Sequence, residues 1–359
     1  MSSIKDVAKL AGVSISTVSN VINNTKYVSD ELKSKVNFAI NELGYEVNPI
    51  AQNMKNKQTK NIGIITANMC GIFYPYIIRA IEEILSNVGY SVMIYDSHSN
   101  GDVLNTIENE KKGFKKLIAN KVDGIIFTSA IPENLESVYF NNIKNMIVSS
   151  NKRIELVSIM RNFTKYNITS VFNDSFAASI EAVEHLFAIG CKNIGHITGP
   201  TYSKLVSDRL EAFKTVVDAH GYPYNESTMV AFGDFTHQSG YKCIKSLLKA
   251  NPSLDGVFVA NDQMAVGVLK ALSELHKKIP EDIRVIGYNN SFLSSILEPS
   301  LSTIDVHSVT IGQEAAKILL KQLAHNVLEP AQTVKVNHTL VVRESTGAIT
   351  NNDWMSINW

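Results

Sequence analysis

The stretch from Ser3 to Met54 constrains this chain more than any other. Ile4, Val7, Ala8 and Ala11 recur at helical spacing, and Gly12 interrupts the run. Ser14 offers a side-chain oxygen to cap a second helix, on which Val18, Val21 and Ile22 share one face. Ser16, Thr17 and Asn20 point the other way. Ser29 is placed to cap a third helix, whose first turn carries Asp30 and Glu31 at the positive end of the dipole. Leu32, Val36, Ala39, Ile40 and Leu43 form its apolar stripe, and Gly44 suits a left-handed stop. Two helices joined by a tight glycine-containing turn make a helix-turn-helix, whose second helix enters the major groove of DNA. The alternative is a three-helix bundle with a merely polar face. The outward face of the second helix is short, uncharged and rich in hydrogen-bonding groups, which suits base edges. Lys5, Lys9, Lys26, Lys33 and Lys35 flank it as phosphate ligands.

Charge distribution supports the same reading. The formal net charge of the 359 residues is zero, but the segment through Lys60 holds eight lysines against five acids. A head of +3 on a body of −3 fits local DNA contact without indiscriminate binding. The length exceeds one ordinary core and implies two or three domains. Cys70, Cys191 and Cys243 are widely spaced and form neither a CxxC pair nor a metal-type cluster, so they read as reduced thiols of a cytoplasmic protein. No signal peptide or long apolar run is present, which argues against export and membrane spanning. GxSxG, GxxxxGK[ST], HExxH and GxGxxG at a strand–helix turn are all missing, so no catalytic residue, cofactor or metal is assigned.

The segments DVAKLAGVSISTVSNVINN and VSDELKSKVNFAINELGYEVNPIAQNM resemble, without gaps, the N-terminal signature of the lactose-repressor (LacI/GalR) family of bacterial transcription regulators. The resemblance implies a double-stranded DNA operator as partner, with Ser16, Thr17, Asn20, Lys5, Lys26 and Ser29 in the head and Asn48 and Met54 beyond it as DNA-binding residues. The polar stretch EVNPIAQNMKNKQTKN corresponds to a hinge that turns helical in the minor groove, with Pro49 in its first turn. Met54 holds the family's usual leucine position, where an apolar side chain wedges between base steps; packing against a dimer partner is the alternative.

From Asn61 the pattern turns to alternating strands and helices. NIGIIT, YSVMIYD, VDGIIFT and KNMIVSS read as strands of one series, and ITSVF, KNIGHITG, DGVFVAN and IRVIGYN as those of a second. Helical stretches such as PYIIRAIEEILSNVGY and DQMAVGVLKALSELHKK lie between them. The fold class is therefore an all-α helix-turn-helix head followed by an α/β body of two doubly wound parallel sheets, with a cleft at the strand carboxyl ends. The resemblance makes the body periplasmic-binding-protein-like. Expected divisions are 1–46 for the head, 47–60 for the hinge, 61–161 with 291–324 for one lobe, 162–290 with 325–345 for the other, and a tail at 346–359. Crossovers are expected near 161–165, 289–293 and 322–328. RIELVSIMRNFTKYNIT, longer than the family's usual connection, shows no interpretable pattern.

Cleft candidates sit where strands end. Phe73 and Tyr74 match the family's aromatic pair, and Arg209 matches the arginine that grips hydroxyls or a carboxylate. A surface arginine paired with Asp208 or Glu211 is the alternative. Phe235 stands where an aromatic stacks on a sugar or base. Of Asn261 and Asp262, one caps a helix and the other faces the ligand, Asn261 being the choice for the ligand. Asn289 and Ser150 stand where aspartates are frequent, which casts doubt on the usual sugar-binding pattern. The implied effector is a small polar molecule, a carbohydrate. A small head binds weakly alone, so a homodimer on a pseudo-palindromic operator is expected, its surface near SVTIGQEAAKILLKQL or PYIIRAIEE. The tail lacks the leucine heptads of a tetramerising coil. A catabolite-control regulator with a phosphorylated carrier protein as corepressor is the second form the resemblance allows. A transport solute-binding protein would share the body but lack the head.

No arginine precedes Arg79, so bidentate arginine readout of guanine is unavailable to the head, whereas Asn20 can pair N6 and N7 of adenine. The bases beneath the second helix are expected to lean to A·T. Asn20→Ala should flatten that preference in site selection; an unchanged profile at every base would mean that Asn20 is not a reader.

Overall fold

A computed structural model describes residues 2–23, 26–45, 58–98, 102–324 and 330–348. Asn48, Met54, most of the hinge and most of the tail lie outside these residues. The chain forms two compact units, divided after Thr59.

In the first unit three helices, α1 (Ile4–Ala11), α2 (Ile15–Asn23) and α3 (Asp30–Leu43), enclose Val7, Val18, Val36 and Ala39. Gly12 and Gly44 end α1 and α3 in the left-handed region, at φ 65° and 53°, where residues with a Cβ are strained. Ser14 Oγ accepts from the Thr17 N–H at 3.1 Å, which is the expected cap of α2. Ser29 occupies the cap position of α3, but its hydroxyl makes no capping hydrogen bond, contrary to expectation. Leu32, Ile40 and Leu43 are only half-buried, so the apolar stripe of α3 narrows to Val36 and Ala39.

The second unit holds two six-stranded sheets. The first is built from β1 (Asn61–Thr66), β2 (Ser91–Asp96), β3 (Gly124–Phe127), β4 (Glu155–Ile159), β5 (Thr169–Phe172) and β11 (Thr333–Lys335), ordered β11-β5-β4-β3-β1-β2 and parallel throughout. The second is built from β6 (Ile194–Thr198), β7 (Val230–Phe232), β8 (Gly256–Val259), β9 (Arg284–Tyr288), β10 (Ser302–Asp305) and β12 (Thr339–Val341). Its order is β12-β10-β9-β8-β6-β7, with only β12 antiparallel. Central strands such as β1, β3 and β8 are buried on both faces, which is why they read as unbroken apolar runs.

The helices Tyr74–Ser86 and Ser308–Ala324 cover one face of the first sheet through Ile77, Ile81, Ile311 and Leu319. Val103–Ala119 and Glu136–Ser149 cover the other through Phe114, Tyr139 and Phe140. On the second sheet the pairs are Ser175–Ala188 with Lys204–Ala219, and His237–Ala250 with Asp262–Glu274.

Two strand readings need correction. KNMIVSS is the last part of the helix Glu136–Ser149, and Val148 there is 75% exposed. A short apolar run does not distinguish helix from strand, and Tyr139, Phe140 and Ile143 before it continue a helical period. The fourth strand, β4, lies instead in the segment that had no pattern, and a loop with a single 3-10 turn joins it to β5, the run ITSVF that was expected in the second series. Buried Arg161 anchors that loop by donating to the Ser129 and Ile131 carbonyls at 3.1 and 2.6 Å and to Glu136 at 2.6 Å.

The crossovers shift accordingly. β5 pairs with β4 and so belongs to the first lobe, which places the first crossover at residues 173–174. β10 pairs with β9, moving the second to 306–307, and β11 and β12 join different sheets, moving the third to 336–338. Each boundary lies later than expected, because strand partnership, which no local pattern encodes, assigns a segment to its lobe.

The helices His237–Ala250 and Asp262–Glu274 touch backbone to backbone. A Cβ on Gly267 would lie 1.8 Å from the His237 carbonyl oxygen, and one on Gly240 would lie 2.1 Å from that of Met264. Neither obstacle is a side chain that can swing away. Gly267→Ala should therefore destabilise the body by about 2 kcal/mol or more, read as a lower urea midpoint. An unchanged midpoint would show that the helices separate freely.

Candidate functional site

On the head, Ser16 is exposed and Thr17 and Asn20 are half-buried along the outward side of α2. The Ser14 hydroxyl shares hydrogen bonds with those of Ser16 and Thr17 at 2.7 and 2.8 Å, so the three oxygens form one cluster at the start of the helix. Lys33 and Lys35 pair with Asp30 and Glu31 on α3, exposed pairs of little worth that phosphates can displace. Lys5, Lys9 and Lys26 are exposed and have no ion-pair partner among the described residues. Tyr27 and Phe38 are also exposed, a feature the sequence reading did not single out.

In the body the strand carboxyl ends of both lobes surround a cavity of about 180 Å³. Phe73, Tyr74, Arg209, Phe235, Asn261 and Asn289, named from the sequence, all line it. Phe73 and Tyr74 meet edge to face at 5.2 Å at the start of the helix Tyr74–Ser86.

Arg209 is not the surface residue of the alternative reading. It is 4% exposed, Asp208 is taken by Lys204 at 2.6 Å, and no carboxylate pairs with Arg209 among the described residues. Its guanidinium lies 3.8 Å over the Tyr288 ring, donates from Nε to Ser175 Oγ at 3.2 Å and from Nη1 to the Ala260 carbonyl at 2.5 Å. Burial lowers its pKa.

Phe235 adopts φ 70°, unusual for a bulky residue, and its ring packs on Gly199, where a Cβ would come within 2.5 Å. Asn261 helps to hold it, donating from Nδ2 to the Phe235 carbonyl at 3.3 Å. Asn261 Oδ1 also accepts from the Met264 N–H at 2.8 Å and caps the helix Asp262–Glu274. The expected division of labour is thereby corrected. Asn261 is the cap as well as a wall of the cavity, because the first turn of the helix needs an acceptor there.

Asp262 is buried away from the cavity and accepts from Thr303 Oγ1 at 2.7 Å and the Ser291 N–H at 2.6 Å. Burial raises its carboxyl to about 6 against those hydrogen bonds. Asn289 lines the cavity at φ 108°, and its Oδ1 is buried without a hydrogen-bond partner.

Ser150 is not in the cleft. It ends the helix Glu136–Ser149 and donates to the Ile147 carbonyl at 2.6 Å. Met160, which follows β4, lines the cavity instead. Met160 was not legible in the sequence, because KNMIVSS has a strand's length and apolar run while Met160 follows a segment without a pattern. Also lining the cavity, and not named from the sequence, are Thr128 and Ser129, which follow β3, and Asp234 beside Phe235. Their place after strands was a usable signal. Glu110 holds the Ser129 loop from behind, accepting from Ser129 Oγ at 2.6 Å and the Ala130 N–H at 2.9 Å.

A helix-turn-helix on a basic head, joined in one chain to a two-lobed body with a cleft of aromatic and polar side chains, defines a ligand-responsive DNA-binding regulator. Comparison with known proteins agrees. Residues 3–48 match the family described as bacterial regulatory proteins, lacI family, and residues 183–346 match the periplasmic binding protein-like domain. The chain is 32% identical to the ribose operon repressor of Halalkalibacterium halodurans, over 96% of this chain and 97% of the relative. It is 33% identical to the transcriptional repressor PurR of Edwardsiella ictaluri over the same shares. Among solved structures, the lac repressor dimer bound to operator and the anti-inducer ONPF superposes with a TM-score of 0.84 at 26% identity, covering 97% of this chain and 99% of that one. A complex of the transcriptional regulator CelR with cellobiose superposes at 0.68 and 26% identity, covering 96% and 100%. The chain belongs to the lacI family of bacterial regulatory proteins. It is a DNA-binding transcriptional repressor and not an enzyme. Among the described residues no helix is long and apolar enough to cross a membrane.

His196 lies in β6, fully buried between Phe213 and Phe258, with Nδ1 2.9 Å from the Phe258 carbonyl. Burial lowers its pKa to about 3, and the charge of Arg209 adds to the effect. As pH falls below 6.5 the unfolded chain takes up a proton that the folded chain refuses, so stability is lost between about 6.5 and 3. Asp262 acts oppositely, since below about 6 its folded form binds the proton first. His196→Asn keeps a donor for the Phe258 carbonyl. It should spare about 2 kcal/mol of the loss between pH 6.5 and 5, measured as the difference between the two proteins' urea midpoints. Parallel curves would mean that His196 does not titrate on unfolding.

Proposed function

We propose that this repressor binds a pseudo-palindromic operator as a homodimer and is controlled by a small polar ligand, a carbohydrate, in the inter-lobe cleft. The observation that carries the reading is the convergence of Arg209, Phe73, Phe235 and Asn289, contributed by both lobes, on one cavity. Aromatic faces suit a ring, and the guanidinium and amides suit its oxygens. The names of two similar proteins, a ribose operon repressor and a cellobiose-bound regulator, support a carbohydrate.

The lac repressor structure is a dimer on its operator, which supports two-fold binding here. The helix Ser308–Ala324, one of the two dimer surfaces expected from sequence, buries Ile311, Ala315 and Leu319 against the first sheet. Val88 just before the outer strand β2, Ile94 on it, and Phe232 on the outer strand β7, are exposed apolar side chains better placed for a partner subunit.

Control follows from linkage. A ligand touching both lobes favours one lobe arrangement, and a dimer whose operator affinity depends on that arrangement responds in proportion. Operator binding must alter ligand affinity by the same factor.

Selection of bound sites from random duplex DNA by the full chain tests the first half. A two-fold-symmetric motif is expected, and a motif without symmetry would overturn the dimer. On the selected site, a monosaccharide ligand should change operator affinity roughly 5- to 150-fold. A ligand that binds the cleft with no effect on the operator would overturn the control.

A further inference from the structure

We propose that the ligand of this cleft is a hydroxylated anion, a sugar acid or a sugar phosphate, and that a neutral sugar is the wrong partner. The inference rests on the cleft being the effector site and concerns the charge of what enters it.

The first observation is a buried guanidinium with no carboxylate. Arg209 donates to Ser175 and Ala260 and engages Tyr288, all uncharged groups, and no acid pairs with it among the described residues. The group lines the cavity, is 4% exposed, and is held flat against Tyr288, whose hydroxyl accepts from Asn173 Nδ2 at 3.1 Å. A buried charge is stable when paired, and a planar fork pairs best with two oxygens of a carboxylate or phosphate.

The second observation is the shortage of countercharge. Met160 and Asn289, which line the cavity at the ends of β4 and β9, carry no charge. Among the described residues Asp234 is the one acid lining the cavity; it is exposed and accepts from the Thr236 N–H and hydroxyl at 2.9 and 2.6 Å. Glu110 is turned away behind Ser129 and Ala130, close to the positive charge of Arg161.

The third observation is the backbone. Phe73, Ser203, Thr236 and Asn261 each line the cavity and each precede a helix, so four helix N-termini meet there. Their dipoles add positive potential to that of Arg209. Asn289 Oδ1, buried without a donor, calls for a hydroxyl on the same ligand.

The test uses the full chain, the variant Arg209→Met and thermal denaturation. The first probe is sodium sulfate against sodium chloride at matched ionic strength. Sulfate should raise the midpoint of the wild-type chain by more than that of Arg209→Met, and equal shifts would overturn the proposal. The second probe set is D-glucose, D-gluconate, D-glucuronate, D-glucose 6-phosphate and hypoxanthine. At least one anion should bind, with affinity about 10- to 100-fold weaker in Arg209→Met. Gluconate or glucuronate binding would assign a sugar acid, and the phosphate ester a sugar phosphate. Glucose binding as tightly as its acids would overturn the charge while leaving the carbohydrate reading intact. Hypoxanthine binding alone would overturn both. The ligand-free midpoint of Arg209→Met should equal or exceed that of wild type, because an uncompensated buried charge is removed. A large drop would show that Arg209 is already compensated, and would overturn the proposal.

Discussion

The burial of parallel strands on both faces is the constraint from which the body follows. A parallel sheet needs crossover helices on each side, and every crossover brings the chain back in the same direction. Strand carboxyl ends and helix N-termini therefore collect along one edge of each sheet, and the two edges enclose the cleft. Its lining residues come from the loops after the strands and from the first turns of the helices that follow them. The same constraint makes the edge electropositive without any lysine, since backbone N–H groups at four helix starts are directed there.

Arg209 is where this general architecture becomes particular. Its side chain is braced by Tyr288, by the Ala260 carbonyl and by Ser175, three elements apart in the chain. That bracing fixes the plane of the guanidinium before a ligand arrives, so little rotamer entropy remains to be lost on binding. Phe235 and Asn289 are set in unusual backbone conformations around it. Both depend on neighbours that make no contact with the cavity centre: Gly199 under the ring of Phe235, and buried Asp262 holding the Ser291 N–H just beyond Asn289. Substitutions behind the wall thus reach the cleft through geometry rather than charge.

The head relies on a different economy. Three helices enclose a core of a few small aliphatic residues, with left-handed glycines ending α1 and α3. So small a core leaves most side chains on the surface, and the polar face of α2 is exposed as a consequence of size as well as function. The groups that α2 turns outward, Ser16, Thr17 and Asn20, are uncharged, and Lys5, Lys9 and Lys26 are exposed elsewhere on the head.

Local chemistry was legible in the sequence. Helix stops at Gly12 and Gly44, the cap at Ser14 and most of the apolar strand runs follow from periodicity and from motif, since each depends on neighbours close in the chain, whereas the six cleft residues were implied by the family resemblance. Partnership was not legible. KNMIVSS and ELVSI are equally apolar, and only pairing with β3 shows that the second is the strand. Met160 replaced Ser150 in the cleft for that reason, and all three crossovers moved with the strands they follow. Nor could sequence show that Arg209 is buried without a carboxylate, because that depends on which side chains distant in the chain fail to arrive. The sequence by itself determined most of the elements, the motif and the residue types available to the site. The tertiary structure decided lobe membership and the electrostatic balance of the cleft, which are properties of long-range contacts.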